Sequence, residues 1–173
     1  MSRRYLELLL TPSVLAAQRR AYGASRPVPP GAADDVLGPD EIAFVASRDS
    51  FYLASVSASG WPYVQHRGGA TGFLRAVDPS TLAFADLRGN RQLLTAGNVT
   101  DDDRVSLFLM DYAGRRRLTL LGRATLLAPE DAPDLAALLV PESLASEVER
   151  VVRIHVVAFD WNCPKHITPR GDR

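Results

Sequence analysis

The sequence predicts a mainly β protein, an antiparallel barrel with flanking helices. Segments such as Phe51 to Ser57 alternate apolar and small polar residues at the strand period. Tight turns join consecutive segments, at Ala58-Ser59-Gly60, Asp78-Pro79-Ser80 and Tyr112 to Arg116. Such turns favour antiparallel pairing over a parallel sheet, which needs crossover helices. Closing the sheet into a barrel would remove its exposed edges.

The first segment, to about Tyr22, reads as helix, with Ser13 placed to cap it and Val14, Leu15 and Tyr22 as its apolar stripe. Gly23 to Gly38 carries Pro27, Pro29 and Pro30 and reads as an extended arm. A helix follows from Pro39, which suits a first-turn position, with Asp40 and Glu41 at its positive end and Ile42, Phe44 and Val45 on the buried side. In the first strand Phe51, Leu53 and Ser55 share one face, and Tyr52, Ala54 and Val56 the other. Trp61 to Arg67 returns as a hairpin partner, and Gly68-Gly69 breaks it. Phe73 to Val77 and Thr81 to Asp86 form two more strands, then Arg91 to Ala96 a short helix and Asn98 to Arg104 a polar loop. Val105 to Asp111 and Arg117 to Leu127 are strands; Gly122 in the second marks a bulge or a close approach. Pro129 to Leu139 and Leu144 to Arg150 read as short helices, Val151 to Trp161 as the last strand, and the remainder as an irregular tail. The organisation expected is an N-terminal helix and arm over residues 1–38 and a barrel domain with its tail over 39–173.

The length of 173 residues suits one such domain, and 46% apolar with 23% charged residues excludes a disordered chain or a repetitive fibre. Lys plus Arg balances Asp plus Glu, 20 against 20, so no net charge draws the chain to nucleic acid or anionic lipid. No apolar run approaches the length of a membrane helix, and Glu7 interrupts the apolar start that would otherwise resemble a signal peptide. The expectation is a cytoplasmic protein without nucleic-acid or membrane partners. The lone Cys163 excludes an internal disulfide, and His66, His155 and His166 are too scattered for a zinc site, so no metal is expected.

Three polar clusters fall at strand ends: Gln65-His66-Arg67, Arg88-Gly89-Asn90-Arg91-Gln92 and Arg115-Arg116-Arg117. Backbone N–H groups at a helix start, a bidentate arginine and two side-chain amides suit a phosphate. The same residues also make an ordinary turn and cap, and an arginine triple at a hairpin is commonly a solvated face. Asp86 fits turn capping or ligand contact, and His66 a core or a site position. The tail Trp161-Asn162-Cys163-Pro164-Lys165-His166 is either a site element pre-ordered by proline or an anchor in which Trp161 packs on the core.

Together these pieces resemble the pyridoxamine 5'-phosphate oxidase-like, FMN-binding split-barrel family, from about Asp40 to Arg170. The resemblance rests on Ser-Phe-Tyr-Leu-Ala-Ser-Val, Gly-Trp-Pro-Tyr-Val-Gln-His-Arg-Gly-Gly, Leu-Ala-Phe-Ala-Asp followed by Arg-Gly-Asn-Arg-Gln, Arg-Arg-Leu-Thr-Leu-Leu-Gly-Arg-Ala-Thr-Leu, and the tail Trp-Asn-Cys-Pro-Lys-His-Ile-Thr-Pro-Arg. It implies a six-stranded antiparallel Greek-key split barrel and a homodimer with FMN at the subunit interface. By that resemblance Gln65, His66 and Arg67 lie on the first FMN-contacting strand, and Ala85 and Asp86 pass the flavin. Asn90, Arg91 and Gln92 form the phosphate turn, and Arg117 is presented by a second subunit. Trp161, Asn162, Lys165 and His166 would approach the isoalloxazine ring. The chain departs from the true oxidases: Asn90-Arg91-Gln92 replaces their Ser-Arg-Lys turn, and Lys165-His166-Ile167 their Arg-Leu signature. The function implied is therefore an FMN-dependent oxidoreductase with a small-molecule redox substrate, outside vitamin B6 synthesis. No catalytic acid or base is specified. The alternatives are a non-catalytic flavin- or haem-binding storage module and a deazaflavin-dependent reductase.

Overall fold

The computed structural model describes residues 2–89, 91–168 and 170. Seven antiparallel strands form one sheet in the order β2-β1-β5-β6-β7-β4-β3. They are β1 (Ser50–Val56), β2 (Pro62–Gly68), β3 (Arg75–Asp78), β4 (Thr81–Leu87), β5 (Arg104–Asp111), β6 (Arg116–Leu127) and β7 (Val148–Trp161). The sheet curls around an apolar core without closing, as a split barrel does. Its seven strands are those the segment-by-segment reading gives; the family resemblance implies six.

The alternation in β1 sets the inside and outside of the barrel. Phe51, Leu53 and Ser55 are buried, whereas Tyr52 and Val56 are exposed. The β1–β2 register places Arg67 opposite Phe51 and Gln65 opposite Leu53, so both polar residues share the inner face. Leu107, Leu109, Leu118, Leu120, Val152 and Ile154 complete the core, with Phe84 packed edge-to-face on Phe51 at 5.4 Å between ring centroids.

Gly122 is a bulge. The β6–β7 register shifts between Leu121 and Gly122. A Cβ there would lie 2.5 Å from Ile154 Cγ2 and 2.7 Å from the His155 carbonyl oxygen, so only glycine fits.

Helices α1 (Arg3–Leu9) and α2 (Pro12–Tyr22) replace the single N-terminal helix expected. Thr11, not Ser13, caps α2, because Pro12 takes the first helical position and Thr11 Oγ1 accepts from the Val14 N–H. The arm runs back under α1: Glu7 accepts from the Gly31 and Ala32 N–H groups at 3.1 and 3.0 Å. These two bonds, more than nearby Arg4, hold the Glu7 carboxyl below its usual range. A depressed carboxylate stabilises the fold above its unfolded pKa, and that contribution disappears as pH falls through the folded value. Glu7→Gln should therefore increase protease cleavage within residues 23–38 at neutral pH, and mild acid should have the same effect on the wild type. Limited proteolysis followed by mass spectrometry measures both.

Helix α3 (Pro39–Ala46) starts as expected. Glu41 accepts from the Gly38 N–H at its N-terminus and from Trp161 Nε1 at 2.6 Å. Three expectations are corrected. Helix α4 covers Leu94–Asp101, not Arg91 to Ala96, because Arg91 (φ 61°) and Leu93 (φ 54°) adopt the left-handed conformation and delay helix entry. The polar loop expected over Asn98 to Arg104 is accordingly helix up to Asp101. The residues before the last strand form a 3₁₀ turn, Glu142–Glu147, and β7 begins at Val148, since Val148 and Arg150 pair with Leu87 and Asp86. Pro133–Leu139 is helical (α5), placing Leu139 against Ala83 and Val151.

Candidate functional site

Two clefts meet at one ion-paired cluster on the open side of the barrel. The first is polar and has an open volume of about 590 Å³, lined by Gln65, Arg67, Asp86, Arg91, Gln92 and Arg150 among others. The second, about 840 Å³, is bordered by Phe73, Phe84, Ala85, Leu139, Pro141 and Leu144. Arg67, Asp86 and Leu87 line both.

The cluster joins the paired strands β4 and β7 to β2, which pairs with neither. Arg67 lies on edge strand β2, whereas Asp86 lies on β4, near the opposite end of the sheet order. Arg67 Nη1 donates to Asp86 Oδ1 at 2.5 Å, and Arg150 Nη1 donates to Asp86 Oδ2 at 2.7 Å. Arg150 Nη2 also donates to Glu149 at 3.2 Å. The Arg67 guanidinium sits 5.7 Å from the Phe84 ring centroid. Its buried Nε has no hydrogen-bond partner among the described residues. Gln65 Oε1 accepts from Thr95 Oγ1 at 2.9 Å, which fixes the amide and leaves its nitrogen to donate. Asn98 Nδ2 donates to Ser55 at 2.9 Å, so α4 is tied to the same end of the barrel.

The structure brings Gln65, Arg67, Asp86, Arg91 and Gln92 into the polar cleft. Asn90 lies outside the described residues. Ala85 borders the apolar cleft, and so does His66, an exposed residue that packs edge-to-face on Tyr52. Arg117 is elsewhere in the protomer. It donates to the Cys163 carbonyl at 2.9 Å and shares an outer groove with His166, Phe108 and Tyr112. Trp161 packs on Phe44 at 4.8 Å and under Arg116 at 4.7 Å, the anchoring arrangement. Asn162 accepts from Thr119 at 2.6 Å, and Lys165 is exposed in the tail. Sequence reasoning missed Arg150, Glu149 and Thr95. The segment around Arg150 reads as helix, and its pairing with Asp86 spans 64 positions, so no local pattern announces it. Among the described residues no group of three potential metal ligands occurs, and no helix is long and apolar enough to cross a membrane.

The donor set fits a phosphate: guanidinium groups and side-chain amides face one cleft, bordered by the first turn of α4 through Leu94 and Thr95. A family model described as pyridoxamine 5'-phosphate oxidase matches residues 39–159. Among solved structures, a conserved hypothetical protein from Mycobacterium tuberculosis is 20% identical, with a TM-score of 0.56, covering 84% of this chain and 97% of that one. HupZ of Group A Streptococcus is 16% identical, with a TM-score of 0.55 and coverage of 78% and 100%. A protein described as F420 reductase is 15% identical, with a TM-score of 0.50 and coverage of 68% and 94%. At these identities the likeness is one of fold. No curated protein matches the sequence.

Proposed function

This chain belongs to the pyridoxamine 5'-phosphate oxidase family, and we propose that it is an FMN-dependent oxidoreductase acting on a small redox substrate. The observation that carries the reading is the convergence of Arg67, Arg91, Gln65 and Gln92 on one polar cleft that adjoins an apolar one. The polar cleft would hold the phosphate and the apolar cleft, beside Ala85, the ring. FMN supplies the two-electron chemistry; the protein supplies anchoring, orientation and exclusion of water. Gln65 is the donor best held for the polar edge of the ring, because Thr95 fixes its amide. Lys165 and His166 are the tail's candidate donors in the same role, and Asn162 keeps its amide nitrogen available while its oxygen accepts from Thr119.

We read the active form as a homodimer. The outer face of β1 and β2 exposes Tyr52 (40%), Val64 (60%) and, just before β2, Trp61 (75%), an apolar strip that a second copy would cover. The same partner would carry its own Arg117 and tail to the cleft. A single cysteine suits the cytoplasm.

Purified protein should be yellow and lose its colour with dithionite; a protein that takes up no FMN ends the reading. Parallel titration of the apoprotein with FMN, a deazaflavin and haem separates it from the reductase and storage alternatives. Arg91→Ala should weaken FMN binding by about 1.5–3 kcal/mol, as for a charge-assisted contact. Flavin fluorescence quenching measures that change.

A further inference from the structure

Resting on the FMN reading, we propose that Arg150 is a second phosphate-binding guanidinium of the polar cleft, and that Asp86 is the counter-ion with which the phosphomonoester competes. Arg150 stands directly opposite Asp86 in the β4–β7 ladder, so both side chains leave the sheet on one face. Arg67 reaches the same carboxylate from β2. All three line the cleft into which Arg91 also faces.

Charge decides what this cluster can accept. Arg67, Arg91 and Arg150 oppose Asp86 and Glu149 at the cleft, which leaves one excess positive charge. The side chains of Arg67, Asp86 and Arg150 are 17%, 11% and 18% exposed, so the excess is weakly screened. A guanidinium has five N–H donors. Asp86 takes one from each arginine, and Glu149 takes one more from Arg150. The remaining donors suit the oxygens of a phosphomonoester. Asp86 thus has two opposing effects: it orients both guanidinium groups, and it repels the anion they would bind.

The test measures dissociation constants of the full chain for FMN and for riboflavin, which lacks the phosphate. Arg150→Gln should weaken FMN by about tenfold or more and leave riboflavin unchanged. Asp86→Asn removes the charge and keeps one acceptor oxygen, so it should tighten FMN about fivefold as a guanidinium is released to the phosphate. Equal losses for both flavins, an unchanged FMN constant in Arg150→Gln, or weaker FMN binding in Asp86→Asn would overturn the proposal. Should Arg150→Gln not fold, Arg150→Lys keeps the charge but not the fork; it should weaken FMN about threefold, and no change would count against the proposal. A wild type that binds neither flavin removes the FMN reading by itself. Calorimetric titration with inorganic phosphate then decides the anion subsite separately: weaker binding in Arg150→Gln supports it, and equal binding or none in the wild type overturns it.

Discussion

Phe84→Ala should destabilise the protein by about 3–5 kcal/mol, the usual range for truncating a buried aromatic ring. Phe84 is 1% exposed and packs edge-to-face on Phe51, which itself stacks on Phe73 at 5.5 Å. The loss has two parts, apolar area returned to water and a void that a curved sheet cannot collapse. The Phe84 ring also faces the Arg67 guanidinium and borders the apolar cleft. The same substitution should therefore weaken FMN binding, because the cation loses the surface that positions it. Urea unfolding monitored by circular dichroism gives the first effect, and flavin titration well below the unfolding midpoint gives the second. Retained stability would show that the ring is not part of the core.

Gly122→Ala should cost about 1–3 kcal/mol, the range for overpacking a close-packed interior. The new methyl group meets Ile154 and the His155 carbonyl, neither of which can swing away. Ile154 is buried and β-branched, and the carbonyl belongs to the strand backbone. Relief requires β6 and β7 to separate at their bulge, which disturbs the ladder joining the two longest strands. The bulge lies away from both clefts, so flavin affinity should change little in the fraction that folds. Thermal unfolding with and without FMN distinguishes a damaged sheet from a damaged site.

Strand identity was legible where local chemistry decides it. The alternation at Phe51, Leu53 and Ser55 gave the buried face, and Gly122 inside a long strand marked a bulge or a close approach, both of which occur there. Pro39 with Asp40 and Glu41 gave the start of α3. The misplaced elements depended on distant partners. Nothing in Arg91 or Leu93 signals a left-handed backbone, which sequence reasoning expects of glycine or asparagine, so α4 was read too early. Val148 to Arg150 looked helical because its pairing partners, Leu87 and Asp86, lie some sixty positions away. The site divides in the same way. Gln65, Arg67, Arg91 and Gln92 stood out as polar residues at strand ends. Arg150 entered only through strand pairing, and Trp161, which the sequence offered as a ring contact or as an anchor, is held by Glu41 and Phe44 on α3.

Strand β7 is the bridge of the sheet: β6 lies on one side of it and β4 on the other. During synthesis the β1–β2 hairpin and the β3–β4 hairpin emerge early, yet no backbone ladder joins the second to the rest of the sheet until residues 148–161 have left the ribosome. Gln65 and Arg67 then wait, already translated, for Arg150 to arrive. On the FMN reading, a flavin in the surrounding solution cannot template the early steps of folding, because the polar cleft is incomplete until Arg150 has emerged. Cofactor loading then follows the emergence of residues 148–161.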